Sequence, residues 1–237
     1  MNQPSSDPRA PFAIGIIIIG AVLLGGIVWA VLSAPSSPGI NGVSDPNLSF
    51  NDANDPALGS VDAKVTVRIF GDLECPACRS AEPGVTHLRT AYADTVRIIW
   101  NDFPLPASIH PKARIAANAA RCAEEQGKFW EMHDELYDAQ DGWSKSSNPA
   151  NDFFALAQKI QLNEDGFRSC YDSRRHDSKI ADDMSEGRGN GVDATPTFFI
   201  NNTKQVGILS PSEWDAILKP LLEGNMSPAP ENATPVE

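Results

Sequence analysis

The constraint that most narrows what this 237-residue chain can fold into is a cysteine pair, Cys75-Pro76-Ala77-Cys78. It follows a run rich in β-branched residues at 65–70 and opens an apolar-periodic stretch at 77–92, which reads as strand, cysteine pair, helix. A spacing of three puts both sulfurs on one face of a helical turn. Their Cα atoms would then lie about 5–6 Å apart, within reach of a disulfide. Pro76 suits the first helical turn, where its missing N–H would have had no partner. The unpaired N–H groups and the helix dipole favour a thiolate on Cys75, the species that attacks a disulfide. Cys75 is expected at the exposed helix start, with Cys78 shielded one turn inside as the resolving thiol. The same pair could be half of a zinc site, but structural zinc usually takes a second pair at similar spacing. The other two cysteines, Cys122 and Cys170, are isolated from each other, and His87, His110, His133 and His176 are scattered singly. The reading is a redox pair without a bound metal.

Composition excludes several classes. Thirty-one acidic residues against 19 basic ones leave a net charge of −12, the wrong sign for displacing counterions from nucleic acid. Apolar residues at 41% are enough to bury a core. The chain has no Gly-rich phosphate loop, no HExxH and no GxSxG.

Residues 12–32 form a 21-residue run without a charge. As a helix it would span about 31 Å, matching a bilayer core. The candidate cleavage sites after Ala30 and Ala34 are poor, one carrying bulky Val28 and the other followed by Pro35. An uncleaved signal anchor is therefore expected. Arg9 precedes the run and no Lys or Arg follows until Lys64, so the positive-inside rule leaves a cytoplasmic stub at 1–11 and exports the rest. Residues 33–56, rich in Pro, Ser, Asn and Asp, read as a flexible linker. A single domain follows at 57–223, then a disordered tail at 224–237.

Within that domain, strands are expected at 65–70 and 95–100, with a helix at 77–92 between them. Helices follow at 112–126, 129–138, 152–160, 164–171 and 174–187, with a turn at Asp141-Gly142. A strand at 197–200, a turn at Asn201-Asn202, a strand at 205–208 and a helix from Pro211 to Leu222, capped by Ser210, complete it. The order is β-α-β, a helical block, then β-β-α, an α/β fold with a mixed sheet.

Four separated motifs in this order resemble the DsbA-like thioredoxin-fold thiol–disulfide oxidoreductases. They are Phe70-Gly-Asp72-Leu-Glu-Cys75-Pro-Ala-Cys78, then Asn101-Asp102-Phe103-Pro104-Leu105 with His110-Pro111, then Cys122 through Phe129-Trp130-Glu-Met-His133-Asp134, and finally Gly191-Val-Asp-Ala-Thr195-Pro196-Thr197-Phe198-Phe199-Ile200. The resemblance covers about residues 56–222. It implies a thioredoxin fold with an inserted helical block, and a cis-proline loop at Thr195-Pro196 facing the cysteines, where an extended substrate would add as a strand. Cys122 and Cys170 could be two buried free thiols. A bridge between them is favoured by an exported domain with two cysteines left over, and by relatives that carry a similar second pair. His110 and His133 recur in the family pattern and are read as structural.

Two departures bear on redox tuning. The strongest oxidants of the family carry His where this chain has Ala77, and Glu74 adds a negative charge beside Cys75; both are expected to destabilise the thiolate. Where thioredoxin-like proteins often bury an acid, this chain has Ile69, with Asp72 the nearest carboxylate. The expected function is a membrane-anchored extracytoplasmic oxidoreductase that forms disulfides in exported proteins. It needs no cofactor and is recycled by a membrane redox partner such as a quinone-linked oxidase. The alternatives are a reductase or isomerase of the same fold, or a metal- or peptide-binding module using the two cysteines.

Overall fold

The computed structural model describes residues 45–224. The expected anchor at 12–32, the stub before it and the tail from 225 lie outside them; among the described residues no helix is long and apolar enough to cross a membrane. In chain order the elements are β1 (Ala57–Leu58), β2 (Val65–Gly71), α1 (Pro76–Ala91), β3 (Val96–Asp102), α2 (Ala113–Glu124), α3 (Phe129–Asp138), α4 (Gln140–Trp143), α5 (Pro149–Lys159), α6 (Glu164–Asp172), α7 (Asp177–Gly189), β4 (Thr197–Ile200), β5 (Thr203–Val206) and α8 (Pro211–Glu223).

The sheet runs β1-β3-β2-β4-β5. β2 and β3 pair in parallel from Val65 opposite Val96 to Gly71 opposite Asp102, joined by α1 as the crossover. β4 is antiparallel to β2, β5 to β4 and β1 to β3. This is the thioredoxin-like α/β arrangement, with α2–α7 inserted between its two halves. Side chains leave a strand on alternate faces, so Val65, Val67 and Ile69 enter the main core with α1, α8 and the inserted block, while Phe70 enters a second cluster with Phe103, Val192 and Phe199 on the reverse face. In the main core Trp214 of α8 meets Phe198 edge-on at 5.1 Å. Ser210 and Glu213 form a capping box at the start of α8, and Gly224 closes it in the left-handed region at φ 73°.

Three expectations are corrected. The linker does not extend to residue 56. Leu48 and Phe50 cover the reverse-face cluster, the Phe50 ring meets Phe199 at 5.0 Å, and Arg68 lies over Phe50 at 4.4 Å while pairing with Asp52 at 2.7 Å. Average composition hid two apolar residues whose burial is what that sheet face lacks. The last strand is Thr203–Val206, two residues earlier than expected. The two-residue turn Asn201-Asn202 closes the hairpin at once, setting Ile200 opposite Thr203 and leaving Ile208 50% exposed. Asp141-Gly142 lies inside the short helix α4.

Two covalent or ionic ties hold the inserted block. Cys122 of α2 and Cys170 of α6 form a disulfide with Cα atoms 5.7 Å apart. Arg121, with 0% of its side chain exposed, meets Asp102 at 2.6 Å, Asp183 at 2.6 Å, Asp55 at 3.0 Å and Glu124 at 3.2 Å. Lys179 pairs with Asp55 and Asp183. Burial and the neighbouring Asp102 carboxylate push Asp183 up to about 7. Replacing Arg121 by Met would leave these buried carboxylates with Lys179 as their remaining cation. Arg121→Met is expected to cost about 3–5 kcal/mol in denaturant unfolding at neutral pH. Part of that loss should return in mildly acid buffer as the stranded carboxylates take up protons.

Candidate active site

β2 ends at Gly71, where an added Cβ would come within 2.2 Å of the Trp100 indole. The chain then passes through Asp72-Leu73-Glu74 to Cys75, the N-cap of α1, with Pro76 in the first turn. This connection is clamped on several sides. The Asp72 carboxylate accepts from the Glu74 N–H at 2.7 Å, the Leu105 N–H at 2.9 Å and His110 Nδ1 at 2.6 Å. The Glu74 carboxylate accepts from the Lys112 N–H at 2.6 Å. From the inserted block, Gln140 Nε2 donates to the carbonyls of Leu73 at 2.8 Å and Cys75 at 3.2 Å, and the Tyr137 hydroxyl donates to the Asp72 carbonyl at 3.2 Å.

Cys75 and Cys78 are free thiols. Both are buried, at 5% and 3% exposure, so Cys75 is not the openly exposed group expected at the helix start. What separates them is depth: Cys75 lies at the helix cap beside exposed Pro76, while Cys78 lines a small internal void with Ile69, Trp100, Tyr137 and Pro196. The Thr195-Pro196 peptide bond is cis, and the Thr195 carbonyl lies 3.6 Å from Cys75 Sγ. The carbonyl of Pro196 is held by the Gly207 N–H at 2.9 Å. Thr195 and Pro196 thus stand against the sulfurs across 120 residues of sequence.

The electrostatics of the two thiols are opposed. Cys75 falls from the ordinary 9.0 to about 5, first through a hydrogen bond from the Cys78 thiol and then, against its own burial, through Thr195 and the N–H groups of Cys78 and Ala77. The buried Thr195 hydroxyl has no hydrogen-bond partner among the described residues. Burial, followed by the adjacent Cys75 sulfur, pushes Cys78 well above the ordinary thiol value. The thiolate is supported without a side-chain donor at position 77. The helix-start N–H groups and the second thiol supply the stabilisation, while Glu74 turns its carboxylate to the Lys112 amide. Its own pKa is raised by burial. The arrangement can therefore hold one thiolate and one thiol side by side, as attack on a disulfide followed by resolution requires.

Sequence reasoning identified the cysteines and the proline loop but did not single out Tyr137 or Gln140. Neither sits in a motif; each acts through a single hydrogen bond donor presented by the inserted block. Asp72, the nearest acid, is filled by three donors and organises the loop. Cys122 and Cys170 lie away from the pair, in the disulfide of the inserted block.

The family model described as Thioredoxin matches residues 51–220. A crystal structure of a thioredoxin-like oxidoreductase from Silicibacter pomeroyi is 28% identical, with a TM-score of 0.58 over 73% of this chain and 95% of that one. Wolbachia pipientis alpha-DsbA1 is 21% identical with a TM-score of 0.65 over 75% and 94% of the two chains, a likeness of fold. The Na(+)/H(+) antiporter NhaA 3 of Salinispora tropica is 39% identical over 166 residues, 70% of this chain; the match spans 24% of the antiporter, about a quarter of its length. The chain belongs to the thioredoxin family, in the DsbA-like form of that fold, and is a thiol–disulfide oxidoreductase.

Proposed function

We propose that this chain is a membrane-tethered, extracytoplasmic oxidoreductase that introduces disulfides into exported proteins. The observation that carries the reading is the opposed pair of thiols under the Thr195-Pro196 loop, with Cys75 held near 5. A thiol that is a thiolate at neutral pH stabilises the reduced form, and stabilising the reduced form makes the disulfide the stronger oxidant. That favours donation of the disulfide to substrates over the reductase or isomerase direction. A substrate thiolate attacks Cys75, Cys78 departs, and the substrate's second thiol releases Cys75. Pro76 is exposed beside Cys75, and the Thr195-Pro196 loop offers its backbone to an extended substrate strand. A membrane redox partner, quinone-linked by our reading, reoxidises the pair.

Tethering rests on the uncharged run at 12–32. The resemblance to a segment of proteins named Na(+)/H(+) antiporters, which work across a membrane, supports it; the antiport itself belongs to those whole proteins.

Three outcomes test this reading. Cys75 ionises near 5 in the fold against an ordinary 9.0, so its thiolate contribution to the stability of the reduced protein is complete above about pH 9 and lost as pH falls through about 5. Alkylation of Cys75 against pH should show a midpoint about 5; a midpoint near that of a free thiol would remove the basis for the oxidase direction. Cys78→Ser should accumulate DTT-sensitive complexes with exported proteins on non-reducing gels, and Cys75→Ser should not; equal trapping by both would contradict the division of roles. Carbonate-washed membranes should retain the full-length product, whereas a soluble chain beginning near Val31 or Pro35 would show a cleaved leader.

A further inference from the structure

The connection from β3 to α2, residues 103–112, runs alongside the residues that lead into Cys75. The Leu105 N–H and His110 Nδ1 both reach the Asp72 carboxylate, at 2.9 and 2.6 Å, and the Lys112 N–H reaches Glu74 at 2.6 Å. Asp72 is tied in turn to the nucleophile, because its carbonyl accepts the Cys75 N–H at 3.1 Å. His110 is placed by a tight turn in which the Ile109 and His110 N–H groups both bond the Pro106 carbonyl, at 2.8 and 3.0 Å. Its side chain is 12% exposed, and that of Asp72 is 0% exposed. Packing alone does not call for an imidazole set against a buried carboxylate three residues before the nucleophile.

Residues 72–79 and 103–112 carry two other basic side chains, and both are drawn away from the cysteines. Arg79 pairs with Asp141 at 2.6 Å. Lys112 Nζ donates to the carbonyls of Ser144 and Ser146 at 2.6 and 2.7 Å. Position 77, between the cysteines, is alanine and carries no charge. His110 is the basic group that these two segments hold beside the Cys75 connection. The charges facing it are those of Asp72, Glu74 and the Cys75 sulfur. The hydrogen bond to Asp72, and then, against burial, the charges of Asp72, Cys75 and Glu74, raise His110 above its ordinary 6.5. Two groups that bias each other do so by the same free energy. A thiolate that holds the proton on His110 is therefore itself held ionised by that proton.

We propose that His110, protonated and held by Asp72, is the charge partner of the Cys75 thiolate, supplying from the β3–α2 loop the positive charge that position 77 lacks. The partnership is electrostatic, and no bond is made to His110 during exchange. When the disulfide is reduced, Cys75 becomes a thiolate, Cys78 takes up a proton, and the imidazolium stabilises the new charge. When a substrate sulfur caps Cys75, or the disulfide forms again, that charge is gone and His110 loses part of what held its proton. The redox state of the pair and the protonation of His110 are thereby linked. Reduction raises the affinity of His110 for its proton, and a protonated His110 makes the disulfide a stronger oxidant. The contribution adds to those of Cys78 and Thr195, which lead the stabilisation of Cys75. It is lost as pH rises through the titration of His110.

The inference rests on Cys75 being the ionised member of the redox pair, and the experiment separates the two. In His110→Asn the side-chain amide can stand where Nδ1 does and still donate to Asp72, so the loop is kept and the charge removed. Full-length protein in detergent is equilibrated with glutathione buffers. Near neutrality the variant should be the weaker oxidant by about five- to tenfold in its equilibrium constant. Its Cys75 alkylation midpoint should move up from about 5 by about one unit. In mildly alkaline buffer the wild-type imidazole is neutral as well, and the two equilibrium constants should converge. Equal constants near neutrality would overturn the partnership. So would a difference that persists undiminished in alkaline buffer, because that marks a structural role. The wild type gives an independent reading through the ring-proton resonances of its four histidines. One of them should titrate at higher pH in the reduced protein than in the oxidised; none doing so would overturn the partnership whether or not the variant folds. A Cys75 midpoint of about 5 in wild type and variant alike would sink the partnership alone, whereas a wild-type midpoint near that of a free thiol would sink the thiolate reading and the partnership with it.

Discussion

A guanidinium with no access to water has to be met by carboxylates wherever they can be brought from, and in this chain Arg121 gathers them from four parts of the sequence. Asp55 comes from the segment before β1, Asp102 from the end of β3, Glu124 from α2 and Asp183 from α7. With Lys179 the cluster holds two cations against four carboxylates, so it is under-compensated; burial first, and then the Asp102 charge, push Asp183 up to about 7. Such a network adds little net stability over a well-packed apolar core. What it does here is fix where three bodies of chain meet: the sheet, the inserted block and the strap that precedes them.

That fixed meeting point reaches the active site through short contacts. Asp102 binds Arg121 with one oxygen and accepts the Trp100 Nε1–H with the other at 2.9 Å. Trp100 in turn lies against Gly71, walls the void at Cys78 and packs on His133. From the other side the inserted block reaches the cysteine loop through Tyr137 and Gln140. The helical insertion is thus part of the active site's frame: it supplies donors that hold residues 72–75 and, through Tyr137, one wall of the void at Cys78.

Much of this was legible in the residues. The β-branched run at 65–70, the cysteine spacing, Pro76 and the Ser210-Pro211 start each impose a local geometry, and those elements lie where local rules put them. The register of the last hairpin was misread because Val206 and Ile208 drew the strand toward apolar residues, while the Asn201-Asn202 turn had already set the pairing. The strap at 45–56 was missed because its two useful side chains, Leu48 and Phe50, are diluted by polar neighbours; only the empty face of the sheet gives them value. The same limit applies to the thiol electrostatics. Ala77 and Glu74 could be weighed from the sequence, but the direction in which Glu74 points, and the donors that converge on Cys75, are properties of folded geometry.

The opposed thiols have a consequence for turnover that neither cysteine shows alone. The hydrogen bond from Cys78 that stabilises the Cys75 thiolate works only while Cys78 keeps its proton, and the Cys75 thiolate makes that proton harder to remove. The feature that makes the first step fast therefore obstructs the second. Once a substrate is bound to Cys75, the negative charge beside Cys78 is gone and one of the two obstacles disappears with it; burial remains. Mixed-disulfide formation thus prepares its own resolution electrostatically, and what is left for the protein to provide is a place for the proton. In a site walled by Ile69, Trp100 and Pro196, burial is the obstacle that stays with Cys78 through the whole cycle.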